Sequence, residues 1–245
     1  MKILDKRADL GHGDVKKLLF SLSVPTITSQ IVNMLYNLVD RVFIGHMQPA
    51  ETVGKLALTG VGVCLPIIMV ISAFASLIAI GGAPRASIAE GAGESEKSER
   101  IMGNCLTMLV ITALVLTVLF ESFAEPLLLM FGASENTIGY AADYLHIYAF
   151  GTLFVELTLG MNAFITAQGF AKVGMYTVLI GAAANIILDP VFIFALGMGV
   201  RGAALATVLS QGLSCAWVLV FLCGKKAFLR LRRENLFVSP KLILP

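Results

Sequence analysis

Charged residues are scarce in this sequence. They make up 14% of its 245 residues, whereas soluble domains carry about a quarter. A chain with so few charges cannot cover an ordinary water-exposed surface, so the composition excludes a typical soluble domain. The mean hydropathy of +0.85 agrees with this reading. The composition therefore predicts a membrane protein.

Cysteine and histidine are also rare, and their positions exclude several kinds of site. The four cysteines lie inside apolar runs, and no pair has the spacing of a metal site. The three histidines do not cluster with Asp and Ser as in a hydrolase. The pair Gly81-Gly82 is not a phosphate loop, because no strand precedes it and no lysine follows at the required place. The sequence therefore predicts neither an enzyme nor a bound organic cofactor.

Six apolar segments are long enough to cross a bilayer, whose hydrocarbon core of about 30 Å needs roughly 20 helical residues. Four contain no Asp, Glu, Lys, Arg or His, and the other two are each interrupted by one acid, Glu156 or Asp189. The segments are Leu18–Val39, Leu56–Pro84, Ile101–Phe120, Ile147–Ala171, Val173–Val200 and Gly202–Gly224. The predicted fold class is all-α, a polytopic membrane protein with a six-transmembrane-helix bundle.

The basic residues are unequally divided between the two sides of this bundle. Of the 18 basic residues, 15 lie in the N-terminal segment, in the loop between the second and third segments, in the loop between the fourth and fifth segments, or in the tail. The exceptions are Arg41, Lys55 and Arg201. The positive-inside rule therefore predicts cytoplasmic termini and a cytoplasmic (inner) membrane location. The expected organisation is a cytoplasmic segment at 1–17, a transmembrane lobe at 18–224 and a basic tail at 225–245. The tail is expected to contact anionic lipid rather than nucleic acid, and its abrupt ending predicts a truncation.

A polar stripe runs along the first segment. Its six members follow one another at steps of three or four residues, which places them on one helix face. They are Ser23, Thr26, Gln30, Asn33, Asn37 and Asp40. Such a stripe either joins neighbouring helices by hydrogen bonds or lines a cavity, and its ending in an acid favours the cavity. Pro25 removes a backbone donor near its beginning and allows a bend.

The fifth segment carries Asn185 and Asp189 one turn apart, directly before Pro190. Acids inside a membrane are rare and usually paired or functional, although an acid at the outer interface would merely end a helix. Counting about 1.5 Å per residue from Lys172 places Asp189 roughly 25 Å along its helix, on the same outer side as Asp40. The two carboxyls are therefore able to meet. With their amide and hydroxyl neighbours they suit either a proton or a hard cation such as Na⁺.

Glu156 has no basic partner in any of the six segments. Intramembrane acids of this kind are expensive to bury and often functional. Three roles are open for it: a structural acid that keeps its proton, a second ion carrier, or a substrate contact.

Four motifs, in order along nearly the whole chain, resemble the amino-terminal lobe of the multidrug and toxic compound extrusion (MATE) family, in its DinF-like prokaryotic branch. They lie at Leu35–Gly45, Gly81–Gly93, Asn162–Gly169 and Asn185–Thr207. The last is the most specific, because it joins the Asn185–Asp189 pair to Pro190. The resemblance implies one lobe of a twelve-helix MATE transporter, whose two six-helix lobes surround a central cavity.

The resemblance also implies a function and a site. Family members are antiporters that export organic cations and other amphipathic drugs in exchange for Na⁺ or H⁺ by alternating access. The implied partners are the lipid bilayer, these drugs, and a second six-helix lobe, either a missing half or a second copy. The implied coupling residues are Asp40, Asn162, Asn185, Asp189 and Thr207, of which all but Asn162 would hold Na⁺. Pro25 is the implied bending point, and the cavity set adds Gln30, Asn33, Asn37 and, outside the family pattern, Glu156.

Two other functions are left open by the residues. A lipid-linked precursor flippase of the wider superfamily shares the helix count, but its cavity needs basic residues to hold pyrophosphate. No Lys or Arg occurs in the six segments, which counts against it. An inactive truncated remnant would use its polar residues only to pack helices, and ions would not change its stability.

Overall fold

The structure, a computed structural model, describes residues 14–235. In this range there are eight α-helices and no strand. The helices are α1 (Val15–Gly45), α2 (Lys55–Val63), α3 (Leu65–Gly91), α4 (Ser95–Ser122), α5 (Ala124–Met130), α6 (Ile138–Ala167), α7 (Ala171–Pro190) and α8 (Val200–Cys223). A π-helical turn precedes α2, another follows α7 at Val191–Ala195, and a 3-10 turn lies at Arg233–Asn235. Most of the predicted N-terminal segment and the end of the tail lie outside the described residues.

Six helical segments of residues 14–235 are long and apolar enough to cross a membrane. The predicted all-α, six-helix bundle is therefore confirmed. The second crossing consists of α2 and α3 in succession. It breaks at Cys64, just before Pro66 at the start of α3.

Several helices extend beyond the apolar runs that predict them. Helix α3 continues past Pro84, and α1 continues past Asp40. The six apolar segments contain no Lys or Arg, as stated above, but the longer helices do: Arg41 belongs to α1 and Arg85 to α3. A proline does not end α3 here, since the helix continues through it to Gly91.

Helix α6 is the centre of the bundle, and α1 lies at its margin. Helix α6 packs against α3, α4 and α8, whereas α1 packs mainly against α7. In the most apolar part of each helix, 61% of the residues are buried in α6 and only 6% in α1. One side of α1 meets the bundle, and its large apolar side chains, such as Ile27 and Met34, are exposed.

The first part of the basic tail folds back on the lobe. The Gln168 side-chain oxygen accepts hydrogen bonds from the backbone N–H groups of Phe228 (3.0 Å) and Leu229 (2.9 Å). Glu99 accepts one from the Arg230 backbone (3.2 Å) and pairs with the Arg232 side chain (3.0 Å). This part of the tail is therefore tied to protein groups, in addition to any contact with lipid.

Candidate cation-coupling site

Helix α1 runs unbroken through Pro25, which is buried. Hydroxyl groups on both sides of it bond back to the helix: Thr26 Oγ1 donates to the Leu22 carbonyl and Ser29 Oγ to the Pro25 carbonyl, both at 2.8 Å. Proline removes one ladder hydrogen bond, and such back-bonding hydroxyls favour bending. The predicted bending point therefore lies within a continuous helix whose backbone is locally weakened.

The end of α7 places Asp189 in the bundle. Asp189 directly precedes Pro190, and the chain then widens into the π-helical turn. Gly202 of α8 lies against this turn, because a Cβ atom there would come within 2.7 Å of the Phe192 backbone. This close approach brings α8 alongside α7 and sets Thr207 beside Asn185.

Four of the five predicted coupling residues meet at this point, from α1, α7 and α8. The carboxyl groups of Asp40 and Asp189 are close enough to hydrogen-bond to each other. Asn185 Nδ2 donates to Asp189 Oδ1 at 3.1 Å and lies 3.5 Å from Thr207 Oγ1. Both aspartates and Asn185 are buried. Asp189 therefore does more than end a helix before Pro190, because it belongs to a buried polar cluster.

Two tyrosines complete the cluster, and the sequence analysis missed them. Tyr36 lies near Gln211 and Tyr144 near Thr207, in the lining of one cavity. Tyr36 lies one helical turn before Asp40, so the spacing of the stripe could have identified it. Tyr144 comes from the N-terminal half of α6, and no local pattern marks it.

Three oxygen atoms of the cluster are buried without a hydrogen-bond partner: Asp40 Oδ1, Asp189 Oδ2 and Asn185 Oδ1. Buried polar atoms in proteins are almost always satisfied. Two neighbouring carboxylates also repel each other, and a proton or a small metal ion between them would relieve that repulsion. In residues 14–235, no group of three or more His, Cys, Asp or Glu side chains is placed to hold a metal ion.

A cavity of about 570 Å³ opens beside this cluster, between α1, α6, α7 and α8. Its size falls in the range of small-molecule sites, roughly 300–1,000 Å³. Its polar lining is neutral and contains Thr26, Gln30 and Asn33 of the α1 stripe. A second cavity of about 210 Å³ lies on the other side of Thr207 and includes Asn37 and both Asp40 and Arg41. Asp40 therefore lines the smaller cavity and Asn185 the larger one, whereas Asp189 lies behind them and lines neither.

Asn162, the fifth predicted coupling residue, lies apart from the carboxyl pair. Its amide donates to the Gly174 carbonyl (3.3 Å) and accepts from the Thr177 hydroxyl (3.2 Å). Eight residues separate Thr177 from Asn185, or about 12 Å of helix. Asn162 lines the inner part of the large cavity, where it joins α6 to α7.

Glu156 is completely buried, and neither of its carboxyl oxygens has a hydrogen-bond partner. It belongs to the lining of neither cavity. Thr152, one turn away on α6, is likewise buried with an unpartnered hydroxyl. In this conformation Glu156 does not touch the space that a substrate would occupy.

The MatE family model matches residues 25–191, more than half of the chain. The chain therefore belongs to the MatE family. It is 29% identical over 214 residues to multidrug export protein MepA of Staphylococcus haemolyticus (strain JCSC1435), which covers 87% of this chain and 46% of that protein.

Solved structures of MATE proteins show the same fold. The crystal structure of MATE in the bent conformation is 26% identical, with a TM-score of 0.85, and covers 94% of this chain and 50% of that one. The crystal structure in the straight conformation is also 26% identical, with a TM-score of 0.84 over the same shares. The chain spans about half the length of the relatives it matches.

Proposed function

We propose that this chain is one lobe of a multidrug exporter in the inner membrane, driven by exchange of organic cations or amphipathic drugs for protons. The proposal rests on one observation above all, the contact between the Asp40 and Asp189 carboxyls with three unpartnered oxygens around them. The name of the Staphylococcus relative, a multidrug export protein, supports the substrate class. A second six-helix lobe, another chain or another copy, supplies the other wall of the transport path, and both termini are cytoplasmic.

The carboxyl pair joins α1 to α7. With a proton on the pair, one carboxyl donates to the other and the two helices stay together. Without it, two adjacent negative charges repel within the packed face between α1 and α7, and α1 has few contacts with any other helix. The loss of the proton is therefore converted into a displacement of α1.

Displacement of α1 changes the drug cavity, because Gln30 and Asn33 on the same stripe form one of its walls. The weakened backbone around Pro25 permits the N-terminal part of α1, before this proline, to move differently from the C-terminal part, which carries Asp40. Binding of a drug and binding of a proton then favour different positions of one helix. This is the differential affinity that alternating access requires.

A proton suits the cluster better than Na⁺. Asn185 turns its amide NH₂ toward Asp189 and leaves its own oxygen without a partner. A hard metal ion between these groups would attract the amide oxygen instead, since oxygen is its preferred ligand. Two carboxyls in direct contact need only a single proton to become a donor and an acceptor.

A flippase is less well supported. The large cavity has no Lys or Arg in its lining, although α1 and α3 contain Arg41 and Arg85. A pyrophosphate group would require such cations. Neutral amides and hydroxyls beside apolar side chains suit an amphipathic organic cation.

The test is efflux of a fluorescent organic cation from everted vesicles that hold this chain, energised by a pH gradient or by a Na⁺ gradient. We expect flux with the pH gradient, and none when Asp189→Asn replaces the wild type at equal membrane insertion. Full flux in the Asp189→Asn variant would refute the proposed site. Flux with the Na⁺ gradient alone would replace the proton by Na⁺, and an inserted chain without any flux would show that a different second lobe is required.

A further inference from the structure

A groove of about 280 Å³ runs between α3 and α4 and shares no residue with the two cavities described above. Arg85 and the buried Asn104 lie at one end of it, and Leu77, Ile78 and Met108 at the other. Eight residues separate Arg85 from Leu77, so the groove is about 12 Å long. It is therefore polar at one end and apolar at the other.

The polar end lies at the inner edge of the membrane. Helix α3 has 27 residues and is about 40 Å long, which exceeds a hydrocarbon core of about 30 Å. Arg85 lies six residues, or about 9 Å, before the end of α3 at Gly91. The positive-inside rule assigns this end to the cytoplasm. A guanidinium group on a long side chain at this depth reaches the level of lipid phosphates.

Arg85 differs from the basic residues near it. Lys97 and Arg100 are ion-paired with Glu94 (2.7 Å) and Glu96 (2.6 Å) at the start of α4. Arg85 has no ion pair or hydrogen bond within the described range of the chain. A cation at the edge of the hydrocarbon core without an anion is costly.

The surface around the groove is apolar and open. Leu77, Ile80 and Ile88 on α3 are exposed by 68%, 74% and 73%. These side chains follow one another along the outside of the helix, as on a face that meets lipid chains. The groove thus opens toward the membrane.

Two adjacent glycines have different roles in shaping the groove. No atom lies within 4 Å of the position that a Cβ atom of Gly81 would take, whereas a Cβ atom on Gly82 would collide with the Cys105 sulfur. Gly82 therefore permits α3 and α4 to approach each other. Gly81 leaves free space in the floor of the groove, wide enough to receive part of an acyl chain.

We propose that this groove binds one anionic phospholipid of the cytoplasmic leaflet, with its phosphate on Arg85 and an acyl chain lying over Gly81 toward Leu77 and Met108. The unpaired positive charge selects an anionic headgroup, and the order of polar and apolar groups matches the order in a lipid. The site is independent of the transport function proposed above.

The test measures lipid retained by the purified full-length chain in native mass spectrometry, with dioleoyl phosphatidylglycerol or dioleoyl phosphatidylcholine added. We expect the wild type to retain phosphatidylglycerol about fivefold better than phosphatidylcholine. This ratio corresponds to the roughly 1 kcal/mol by which one basic residue attracts an anionic lipid. Arg85→Gln should abolish this preference, and Arg85→Lys should keep most of it. Gly81→Leu should lower retention of both lipids, because its side chain fills the groove. Arg100→Gln, which removes an exposed and already paired cation, is the matched control and should change nothing.

Three results would overturn the proposal. The first is a preference for phosphatidylglycerol that is undiminished in Arg85→Gln. The second is complete displacement of phosphatidylglycerol by glycerol phosphate. Because glycerol phosphate has no acyl chain, that result would show a phosphate site without a lipid. The third is an Arg85→Gln variant that retains both lipids as the wild type does but differs from it in oligomeric state. That result would identify a protein surface as the occupant of the groove.

Discussion

Asp189 and Glu156 are both completely buried acids of the same six-helix lobe, yet their surroundings differ in almost every respect. Asp189 lies beside the carboxyl of Asp40 and accepts a hydrogen bond from Asn185, and it is connected to the two cavities through these two neighbours, which line them. Glu156 has no hydrogen-bond partner and touches neither cavity.

The difference shows that burial of an acid is not sufficient to identify a coupling site. Burial raises the cost of a negative charge at both positions. Of these two acids, only Asp189 has a second acid beside it on another helix, which is why we propose that one proton determines whether two helices attract or repel. Glu156 can hold a proton, but nothing around it would transmit the loss of that proton.

The largest expected effect is that of Asp189→Asn. This substitution keeps the shape of the side chain and removes the carboxyl that we propose shares a proton with Asp40. Gradient-driven efflux should fall to the level of vesicles without the protein, while membrane insertion stays normal. Asp40→Asn should have the same effect, and a large difference between the two variants would contradict a shared proton.

Asn185→Ala should have the next largest effect. It removes a hydrogen bond to a carboxyl, worth about 1.5–3 kcal/mol when the acceptor is charged, and leaves the rest of the cluster in place. The apparent proton affinity, read from the pH dependence of efflux, should change by roughly 10- to 100-fold. Asn162→Ala, which alters an amide in the same cavity away from the carboxyls, is the matched comparison and should leave that affinity unchanged.

Thr207→Val should weaken the site moderately. The hydroxyl lies 3.5 Å from the amide nitrogen of Asn185, which donates toward it, and a neutral hydrogen bond contributes about 0.5–1.5 kcal/mol. Efflux should therefore decline by a few-fold, and Thr207→Ser should restore it. A serine variant as impaired as the valine variant would assign the effect to packing of the methyl group.

Glu156→Gln should have the smallest effect, although the chemical change is of the same kind as in Asp189→Asn. Transport should be unaffected, since neither carboxyl oxygen of Glu156 has a hydrogen-bond partner and no second acid of the described residues lies beside it. The free energy of unfolding should change by less than about 1 kcal/mol, because a neutral amide replaces an acid without partners. Loss of coupling in this variant would make Glu156 a second carrier and remove the distinction between the two acids.

Periodicity predicts the parts of the site that lie on one helix. The steps of three and four residues from Thr26 to Asp40 and the single turn from Asn185 to Asp189 each fix a helix face, and the structure places those side chains in the cavities and the cluster. The six crossing segments follow equally from local composition, because a bilayer requires a long apolar run.

The remaining features depend on contacts between helices. Tyr144 reaches Thr207 only because α6 and α8 pack together, and Asn162 bonds to Gly174 and Thr177 instead of approaching Asp189. The second apolar segment ends at Pro84, whereas helix α3 continues through this proline and includes Arg85. A proline within a packed helix need not end that helix, so the sequence pattern did not predict the extension. The spacing of residues along a single helix does not predict these contacts between helices.

The central claim is that the Asp40–Asp189 pair holds a proton that drug binding displaces. It is tested most directly by measuring proton release when an organic cation is added to the purified lobe in weakly buffered detergent solution. We predict release by the wild type and by Glu156→Gln, and none by Asp189→Asn although the drug still binds. Equal release from all three proteins, or drug binding by the wild type without any release, would contradict the account.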